Sequence, residues 1–348
     1  MGDLLSRIEV TKLARELDVP ETDLLFLAGS SQAELRELRQ ITSTALFARN
    51  EDRVRLLAAL SRILPVPMTA KIAELALGPM LSARVAGVLD PREATRLASH
   101  LNAGFLASLA PALDPSRVEP IIRGLPDQLV VEVGRLLLKQ GEHLTLSRFV
   151  SVVDINIAMG VVAGANGRDL LQVALYCDEP AALDSIAQRI PDAMLADIIK
   201  AASDDNAYDA AVSLLTSLSQ ETCARLVGQI DAVPEHAREE LIAAVAEHDV
   251  WPTVLPALHL VDQDVLKAMV NVPITMDAAL LDRVVGHARE LDLAPVLVQL
   301  VLAMDDDHLD VLRDSTVLRS AELQDWLLST AGVGTRLMVP VLEALGLR

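Results

Sequence analysis

Apolar side chains recur every 24 residues between Pro67 and Leu137, and Pro67, Pro91 and Pro115 lie one period apart. The apolar positions after Pro91 are Ala94, Leu97, Ala98, Leu101, Leu106, Leu109, Ala110 and Leu113. Residues of the same character stand 24 positions later: Val118, Ile121, Ile122, Leu125, Val130, Val133, Gly134 and Leu137. Each quartet has the i, i+3, i+4, i+7 spacing of one helix face, so one period predicts two short antiparallel helices.

The start of each period carries a helix N-terminal signal. Asp90-Pro91 and Asp114-Pro115 place an aspartate at the N-cap, where its carboxylate accepts amide hydrogens, and a proline at the first helical position. A single hairpin cannot bury its apolar stripe alone, so consecutive hairpins must pack side by side. The pattern predicts an all-α, solenoid-like superhelical array of short antiparallel helical hairpins.

We expect three parts along the chain. Residues 1–64 form a helical N-terminal cap that shields the first repeat, and residues 65–140 hold the regular 24-residue repeats. Residues 141–348 continue the array as degenerate helical repeats and a C-terminal cap. The first copy of the repeat is itself degenerate, because Glu74 and Ser82 stand where later copies have apolar residues.

Two stretches depart from the apolar stripe. Charges of alternating sign on the predicted second helix of the cap indicate a solvated face: Glu34, Arg36, Glu37 and Arg39. Residues 248–262 are the least regular, since two prolines and the indole of Trp251 interrupt the spacing. This second stretch predicts a hinge or a change of stacking direction.

The composition is strongly aliphatic. Hydrophobic residues make up 51% of the chain and aromatic residues only 2%, so Leu, Val, Ile and Ala supply the apolar surface. One interpretation is that every short helix is buried on two or three sides. The other is that part of this surface lines an apolar groove or tunnel, which methionines would adapt to a guest: Met159, Met194, Met269, Met276, Met304 and Met338.

Charge and cysteine usage limit the partners and the compartment. A net charge of −19 repels phosphate backbones and anionic lipids, so we expect neither nucleic-acid binding nor polybasic membrane attachment. Two cysteines, Cys177 and Cys223, indicate a reducing compartment without a disulfide framework. The sequence shows no signal peptide and no long uncharged apolar run, and only five of its 30 basic residues are lysine, as in GC-rich bacterial genomes. These features predict a bacterial cytoplasmic protein without a transmembrane segment.

Metal-type ligands are densest at Asp305-Asp306-Asp307-His308. Consecutive aspartates point in different directions on a helix and cannot all bind one ion. Because the helix dipole favours acidic residues in a first turn, a structural role also explains them. The candidate metal ligands are Asp305, Asp306 and His308, and no bound cofactor is predicted.

A second group of polar residues lies around Trp251. His248, Asp249, His259 and Asp262 would converge if the chain folded back on this loop. Trp251, His259 and Met269 are therefore the candidates for a ligand or partner site, and an enzyme active site here is the third functional alternative. No nucleophile, zinc-protease or phosphate-loop motif occurs, so the sequence favours a protein that is not an enzyme.

The units of the 24-residue repeat are similar to those of a known family. Two units begin Leu89-Asp90-Pro91-Arg92-Glu93-Ala94 and Leu113-Asp114-Pro115-Ser116-Arg117-Val118, and Gly124-Leu125-Pro126-Asp127 joins two helices. They resemble the intracellular N-terminal domain of MgtE-type magnesium transporters and the related middle region of flagellar motor switch proteins. The resemblance covers residues 67–137, about a fifth of the chain, and implies a superhelical α-hairpin fold. In that family the domain is an acidic magnesium-sensing module beside nucleotide-fold domains and a channel, neither of which this sequence contains, so no metal ligands carry over.

The repeat pattern and the missing catalytic motifs favour a cytoplasmic scaffold that binds a protein partner, or another copy of itself, through a concave surface. The alternative is a carrier or sensor of an apolar ligand, such as a lipid, a fatty acid or a hydrophobic polymer surface. An open polar groove would support the first function, and a closed apolar tunnel would support the second.

Overall fold

The computed structural model describes residues 2–17, 19–27, 29–48, 64–314 and 326. All regular elements in these residues are helical, which confirms the predicted all-α class. Within the same ranges, none of the helices combines the length and the apolar character needed to cross a bilayer. Met338 and most of the predicted C-terminal cap lie outside the described residues.

The chain folds into two compact units, the first made of residues 1–165 and 172–186 and the second of residues 166–171 and 187–348. The first unit contains α1 (Gly2–Leu17), α2 (Gln32–Ala48), α3 (Val66–Ile72), α4 (Gly78–Ala86), α5 (Pro91–Ala98), α6 (Ala103–Leu109), α7 (Pro115–Ile122), α8 (Asp127–Lys139), α9 (His143–Phe149) and α10 (Ile155–Val162). A 3₁₀ helix, Glu21–Leu27, separates α1 from α2, and a π-helix, Ala73–Leu77, joins α3 to α4. Two further helices, α11 (Gly167–Tyr176) and α12 (Pro180–Ala187), each contribute residues to both units.

Helix starts in the first unit follow the predicted capping signals. The Asp90 carboxylate accepts the amides of Arg92 and Glu93 at the start of α5. Asp114 caps α7 in the same way, accepting the amide of Ser116 at 3.1 Å. Each cap satisfies amide hydrogens that have no partner inside the helix, and this stabilises the helix by about 1 kcal/mol.

The predicted stripes pack against neighbouring helices. Val118 and Ile121 of α7 are buried in one cluster with Ala94 of α5 and Leu137 of α8. Leu97 of α5 packs on a second cluster, which contains the buried side chains of α3 and α6. The helix pairs α5 with α7, and α6 with α8, are in contact, so each of these hairpins lies against the next along the chain.

A reciprocal pair of glycines brings α8 and α10 close together. A Cβ atom on Gly134 of α8 would lie 2.5 Å from a methyl group of Val161. A Cβ atom on Gly160 of α10 would lie 2.8 Å from a methyl group of Val131. Since real Cβ atoms do not approach side chains so closely, each valine occupies the space that the opposite glycine leaves.

The helices of the second unit recur every 43 residues. Three 13-residue helices begin 43 residues apart: α13 (Asp192–Asp204), α16 (Glu235–Glu247) and α19 (Ala278–Glu290). The helix that follows each of them keeps the same spacing: α14 (Tyr208–Leu215), α17 (Trp251–Leu258) and α20 (Ala294–Ala303). The third helix of each group also begins 43 residues after its counterpart: α15 (Gln220–Val227), α18 (Gln263–Val270) and α21 (Asp306–Asp314). The unit that recurs here is therefore a set of three helices, not a hairpin.

Left-handed backbone marks the same position in every set. Asn206, Asp249 and Asp292 have φ values of 51°, 52° and 56° and lie 43 residues apart. Each follows a 13-residue helix, where a left-handed residue reverses the chain, and Asn and Asp tolerate this conformation better than most residues. In the first unit, Gly141 (φ 71°) follows α8 at the equivalent distance.

Residues 248–262 are as regular as the rest of the second unit, so the irregular stretch expected from the sequence is not found there. Trp251 begins α17, which takes the same place in its set as α14 and α20. Pro252 lies in the first turn of that helix, where its missing amide hydrogen costs nothing. Trp251, Leu255 and Leu258 belong to the core of the second unit, together with Leu266 and Val285.

Candidate functional site

The helices α3 and α4 and the π-helix between them carry a group of exposed apolar side chains, which we call the apolar face. Its members are Met68, Ile72, Leu75, Met80 and Leu81. Leu75 is 76% exposed, Met68 is 55% exposed and Met80 is 53% exposed. Exposed apolar side chains grouped on one surface are typical of contact surfaces.

The apolar face exists because α3 is apolar on two sides. Ala70 and Ala73 are buried against Ala83 of α4 and Leu106 of α6. Met68, Ile72 and Leu75 follow the i, i+4, i+7 spacing and lie on a face that the described residues leave open to solvent. Packing of the first hairpin on α5 and α6 therefore uses the small residues and leaves the large ones free.

The apolar face carries positive charge within an acidic protein. The charged residues between Leu64 and Leu89 are Lys71, Glu74 and Arg84. The Glu74 carboxylate accepts the backbone amide of Asn102 at 2.9 Å and its side-chain amide at 2.7 Å. Lys71 and Arg84 are exposed, and in the described part of the chain neither forms an ion pair. The free charges on this surface are thus both cationic.

Exposed apolar side chains also occur in the N-terminal part, on the 3₁₀ helix and on α2: Leu25, Phe26, Leu38 and Ile41. The arginines of α2, Arg36 and Arg39, are engaged in ion pairs with acidic residues. The α3–α4 surface differs from this group because its cations are unpaired.

A second polar feature, which we call the head cluster, joins α1 and α2 to Asp178. Glu9 is completely buried, and its carboxylate lies 3.2 Å from Nζ of Lys12 and 3.1 Å from Nε of Arg39. Asp178 accepts Lys12 at 2.6 Å, Arg39 at 2.8 Å and Arg36 at 3.0 Å. The solvated face predicted for α2 is therefore wrong at Arg39, which lies largely buried between Glu9 and Asp178, whereas Arg36 stays partly exposed beside Asp178.

Two carboxylates and three cations share the head cluster. Burial alone would raise the pKa of Asp178, but the charges of Lys12, Arg39 and Arg36 outweigh it and keep that pKa below its ordinary value. Burial would lower the pKa of Arg39, but Glu9 and Asp178 raise it above the usual value. Each charged group of the cluster thus has at least one partner of opposite charge.

A polar cavity of about 320 Å³ lies on another side of α1. Its polar lining comes from Thr11, Arg15, Glu21, His143, Gln172 and Tyr176. Arg15 pairs with Glu142, which also accepts the Thr145 hydroxyl at 2.8 Å. Burial tends to raise the pKa of Glu142, but the hydrogen bonds from Arg15 and Thr145 lower it overall. The cavity offers donors and acceptors to a small polar molecule.

The structure gives the predicted metal ligands a role at a helix start. Asp305 accepts the backbone amide of His308 at 3.0 Å and lies 2.6 Å from Nδ1 of its ring, and these bonds lower the pKa of Asp305. Nε2 of the buried His308 lies 3.2 Å from the carbonyl oxygen of Val272. Each ring nitrogen thus lies within hydrogen-bonding distance of an oxygen atom of the protein, and Asp306 lies exposed in the first turn of α21. In the described ranges, no three His, Cys, Asp or Glu side chains are grouped as metal ligands.

The residues predicted around Trp251 lie in different surroundings. Trp251 is buried in the core of the second unit and Met269 packs against that core, while His259 is exposed beside the carbonyl of Pro256. His248 lies 3.0 Å from Asp209. Asp249 instead lies 2.8 Å from His287. Each of these polar residues thus has a partner outside the expected group, and a ligand or partner site at Trp251, His259 and Met269 stays a prediction.

The two cysteines are free thiols, as the sequence predicts. Cys223 is fully buried, and burial raises its pKa to about 11, so the thiol stays protonated at neutral pH. Burial also raises the pKa of the half-buried Cys177.

Comparison with known proteins adds no family: no family model matches the chain, and no curated protein is significantly similar to it. The resemblance to magnesium-transporter repeats stays a prediction. The apolar face and the head cluster were both missed in the sequence. The sequence does contain a signal for the apolar face. Met68, Ile72 and Leu75 have helical spacing but do not belong to the apolar positions that repeat every 24 residues.

Proposed function

We propose that this protein is a helical scaffold that binds a partner protein through the apolar face. The observation that carries the proposal is the exposure of Met68, Leu75 and Met80 on adjoining helices. Large apolar side chains of this kind form the centres of protein interfaces.

The size of the apolar face sets the strength of binding. Fully burying one Leu, Ile or Met side chain gains about 1.5–3 kcal/mol, so the exposed fractions of the five members correspond to roughly 4–8 kcal/mol in total. Association itself costs about 4–15 kcal/mol in lost motion. The apolar contacts alone therefore give weak, reversible binding, and a tighter complex needs polar contacts around them.

The arrangement of the array belongs to the same proposal. Contacts of α5 with α7, and of α6 with α8, support hairpins that stack in sequence order. We extend this stacking to a superhelical array whose concave surface offers further contacts. A non-enzymatic, cytoplasmic role follows from the sequence expectations and is part of the proposal.

The test is affinity capture from native lysate with three forms of the protein: the wild type, Leu75→Asp and Leu260→Asp. Leu260 is an exposed leucine of the second unit, 51% accessible, and serves as the matched control. We expect at least one stoichiometric partner that Leu260→Asp retains and Leu75→Asp loses. Circular dichroism should show that both variants fold normally, since each changes an exposed residue. Equal recovery of all partners with Leu75→Asp would contradict the proposal.

The apolar-ligand alternative is supported by the methionines of the same face, Met68 and Met80, whose flexible side chains adapt to apolar guests. Organic extraction of the purified protein followed by mass spectrometry tests it. A stoichiometric lipid or fatty acid that Leu75→Asp loses would favour the carrier function over the scaffold.

A further inference from the structure

We propose that the segment bound by the apolar face is an acidic amphipathic helix, whose Asp or Glu side chains pair with Lys71 and Arg84. This inference rests on the proposed function and specifies the chemistry of the partner. It follows from the position of the two cations, from their missing counter-charges and from the helical spacing of the apolar side chains.

Lys71 lies within the apolar stripe of α3. Met68, Lys71, Ile72 and Leu75 have the i, i+3, i+4, i+7 spacing, so the lysine is on the same helix face as the exposed apolar residues. Its four-carbon stem can lie along these side chains while the ammonium group stays in water. Any segment that covers the stripe must therefore contact this charge.

Arg84 has the equivalent position on α4. It follows Met80 by four residues and Leu81 by three, which places it on their side of the helix. Each of the two helices thus presents a single cation among large exposed apolar side chains. A partner that buries both stripes has to compensate both charges, because a buried unpaired charge is costly.

Nothing on the first hairpin compensates them. Glu74 is the only acidic residue between Leu64 and Leu89, and its carboxylate is occupied by Asn102. The chain has 49 acidic and 30 basic residues, yet the exposed charges left without a partner on this hairpin are both basic. Charge complementarity points to an acidic partner.

Other acidic or apolar occupants fit less well. An anionic membrane requires a cluster of about four to eight basic residues, and the net charge of −19 opposes its approach. A second copy that docked through the same face would bring Lys71 and Arg84 again and no free acidic group, so it would place like charges opposite one another. An extended peptide binds at the edge of a sheet or, when rich in proline, in a groove lined by aromatic side chains. The described residues contain no strand, and no member of the apolar face is aromatic. An amphipathic helix has apolar residues at the spacing that matches α3 and α4.

The test uses three synthetic helical peptides with one apolar leucine stripe and a polar face of Glu, Gln or Lys. Their binding to the full-length protein is measured by fluorescence anisotropy at low and at high salt. We expect the Glu peptide to bind most tightly and the Lys peptide most weakly. The difference should shrink at high salt, because salt screens exposed charges.

Charge reversal provides the decisive comparison. In Lys71→Glu/Arg84→Glu we expect the Glu peptide to lose about tenfold or more in affinity and the order of the peptides to invert. The matched control is Arg189→Glu/Lys200→Glu, which makes the same change in net charge on exposed residues of the second unit. It should leave the order unchanged.

Leu75→Asp separates this inference from the function it rests on. If Leu75→Asp leaves the binding of all peptides unchanged, the apolar face is not the contact surface and both proposals fail. If Leu75→Asp abolishes binding but the wild type binds all three peptides equally, the scaffold function stands and the acidic partner is ruled out. Sedimentation that shows a dimer of the wild type, lost in Leu75→Asp, would identify a second copy as the occupant and overturn the inference.

Discussion

Replacing Glu9 with glutamine tests whether the head cluster holds the N-terminal part of the protein in place. The Glu9 carboxylate is fully buried and contacts both Lys12 and Arg39, so the variant removes a buried negative charge. Glutamine has nearly the same volume, so the packing of α1 on α2 is kept. The change in stability then reports on the ion pairs.

The expected loss can be worked from the remaining contacts. Breaking a buried ion pair by removing one partner costs about 3–5 kcal/mol, because the other charge is left uncompensated. Here Lys12 and Arg39 both keep Asp178, at 2.6 Å and 2.8 Å. Since part of the compensation survives, we expect Glu9→Gln to lower the free energy of unfolding by roughly 2–3 kcal/mol.

The assay must report on the first unit. Both tryptophans, Trp251 and Trp326, belong to the second unit, so their fluorescence does not follow unfolding around Glu9. Unfolding around Glu9 is instead followed in urea by far-ultraviolet circular dichroism and by hydrogen exchange of peptides from α1 and α2. The control is Arg123→Ala, which removes an exposed i, i+4 pair with Glu119 and should cost less than about 0.5 kcal/mol.

The reasoning is refuted if Glu9→Gln unfolds within about 1 kcal/mol of the wild type, the range expected for an exposed pair. Unchanged hydrogen exchange in α1 and α2 would have the same meaning. Either result would show that the head is held by its apolar contacts and that the buried charges add little.

Two further predictions concern packing and pH. Gly134→Ala should destabilise the protein by about 1–3 kcal/mol in urea unfolding, because its methyl group meets Val161, and Val161→Ala should restore part of the loss. Gly286→Ala, which meets no atom within 4 Å, should be neutral or stabilising by comparison. The pKa of Asp178 is depressed by folding, so its contribution is present above the unfolded value of about 3.9 and is lost as the pH falls through the folded value. The difference in urea midpoint between the wild type and Asp178→Asn should therefore be largest near pH 7 and should close below about pH 4.

Local signals made the first repeats predictable from the sequence. Asp90 and Asp114 cap helices through their own neighbours two or three residues on, so residue type and spacing suffice to place the helix starts. Val118 and Ile121 are buried because the helical period determines which face they occupy. The all-α class follows from these local rules.

The 43-residue spacing was missed although its traces are in the sequence. Pro191 and Pro234, which precede α13 and α16, lie 43 residues apart, and so do Asp249 and Asp292. A search for hairpins divides this distance in two and finds no match, because a set contains three helices of unequal length. The left-handed aspartates carry the signal, but their conformation is known only from the structure.

The head cluster could not be derived from local pattern at all. Asp178 is 166 residues from Lys12, 142 from Arg36 and 139 from Arg39. Alternating charge on α2 predicts a solvated face because nothing nearby in the sequence supplies a buried partner. Glu9 gives no warning either, since a single glutamate on an amphipathic helix is ordinary.

The first hairpin departs from the repeat in a way that favours the proposed function. Glu74 breaks the apolar stripe expected from the later copies, but it binds Asn102 and so ties the π-helix to the start of α6. Met68, Ile72 and Leu75 lie outside that stripe and contribute little to packing between hairpins. Their hydrophobic free energy is therefore still available when a partner covers them. Because Lys71 lies among them, we expect an acidic partner to bind at the smallest cost, since it leaves no buried lysine charge unpaired.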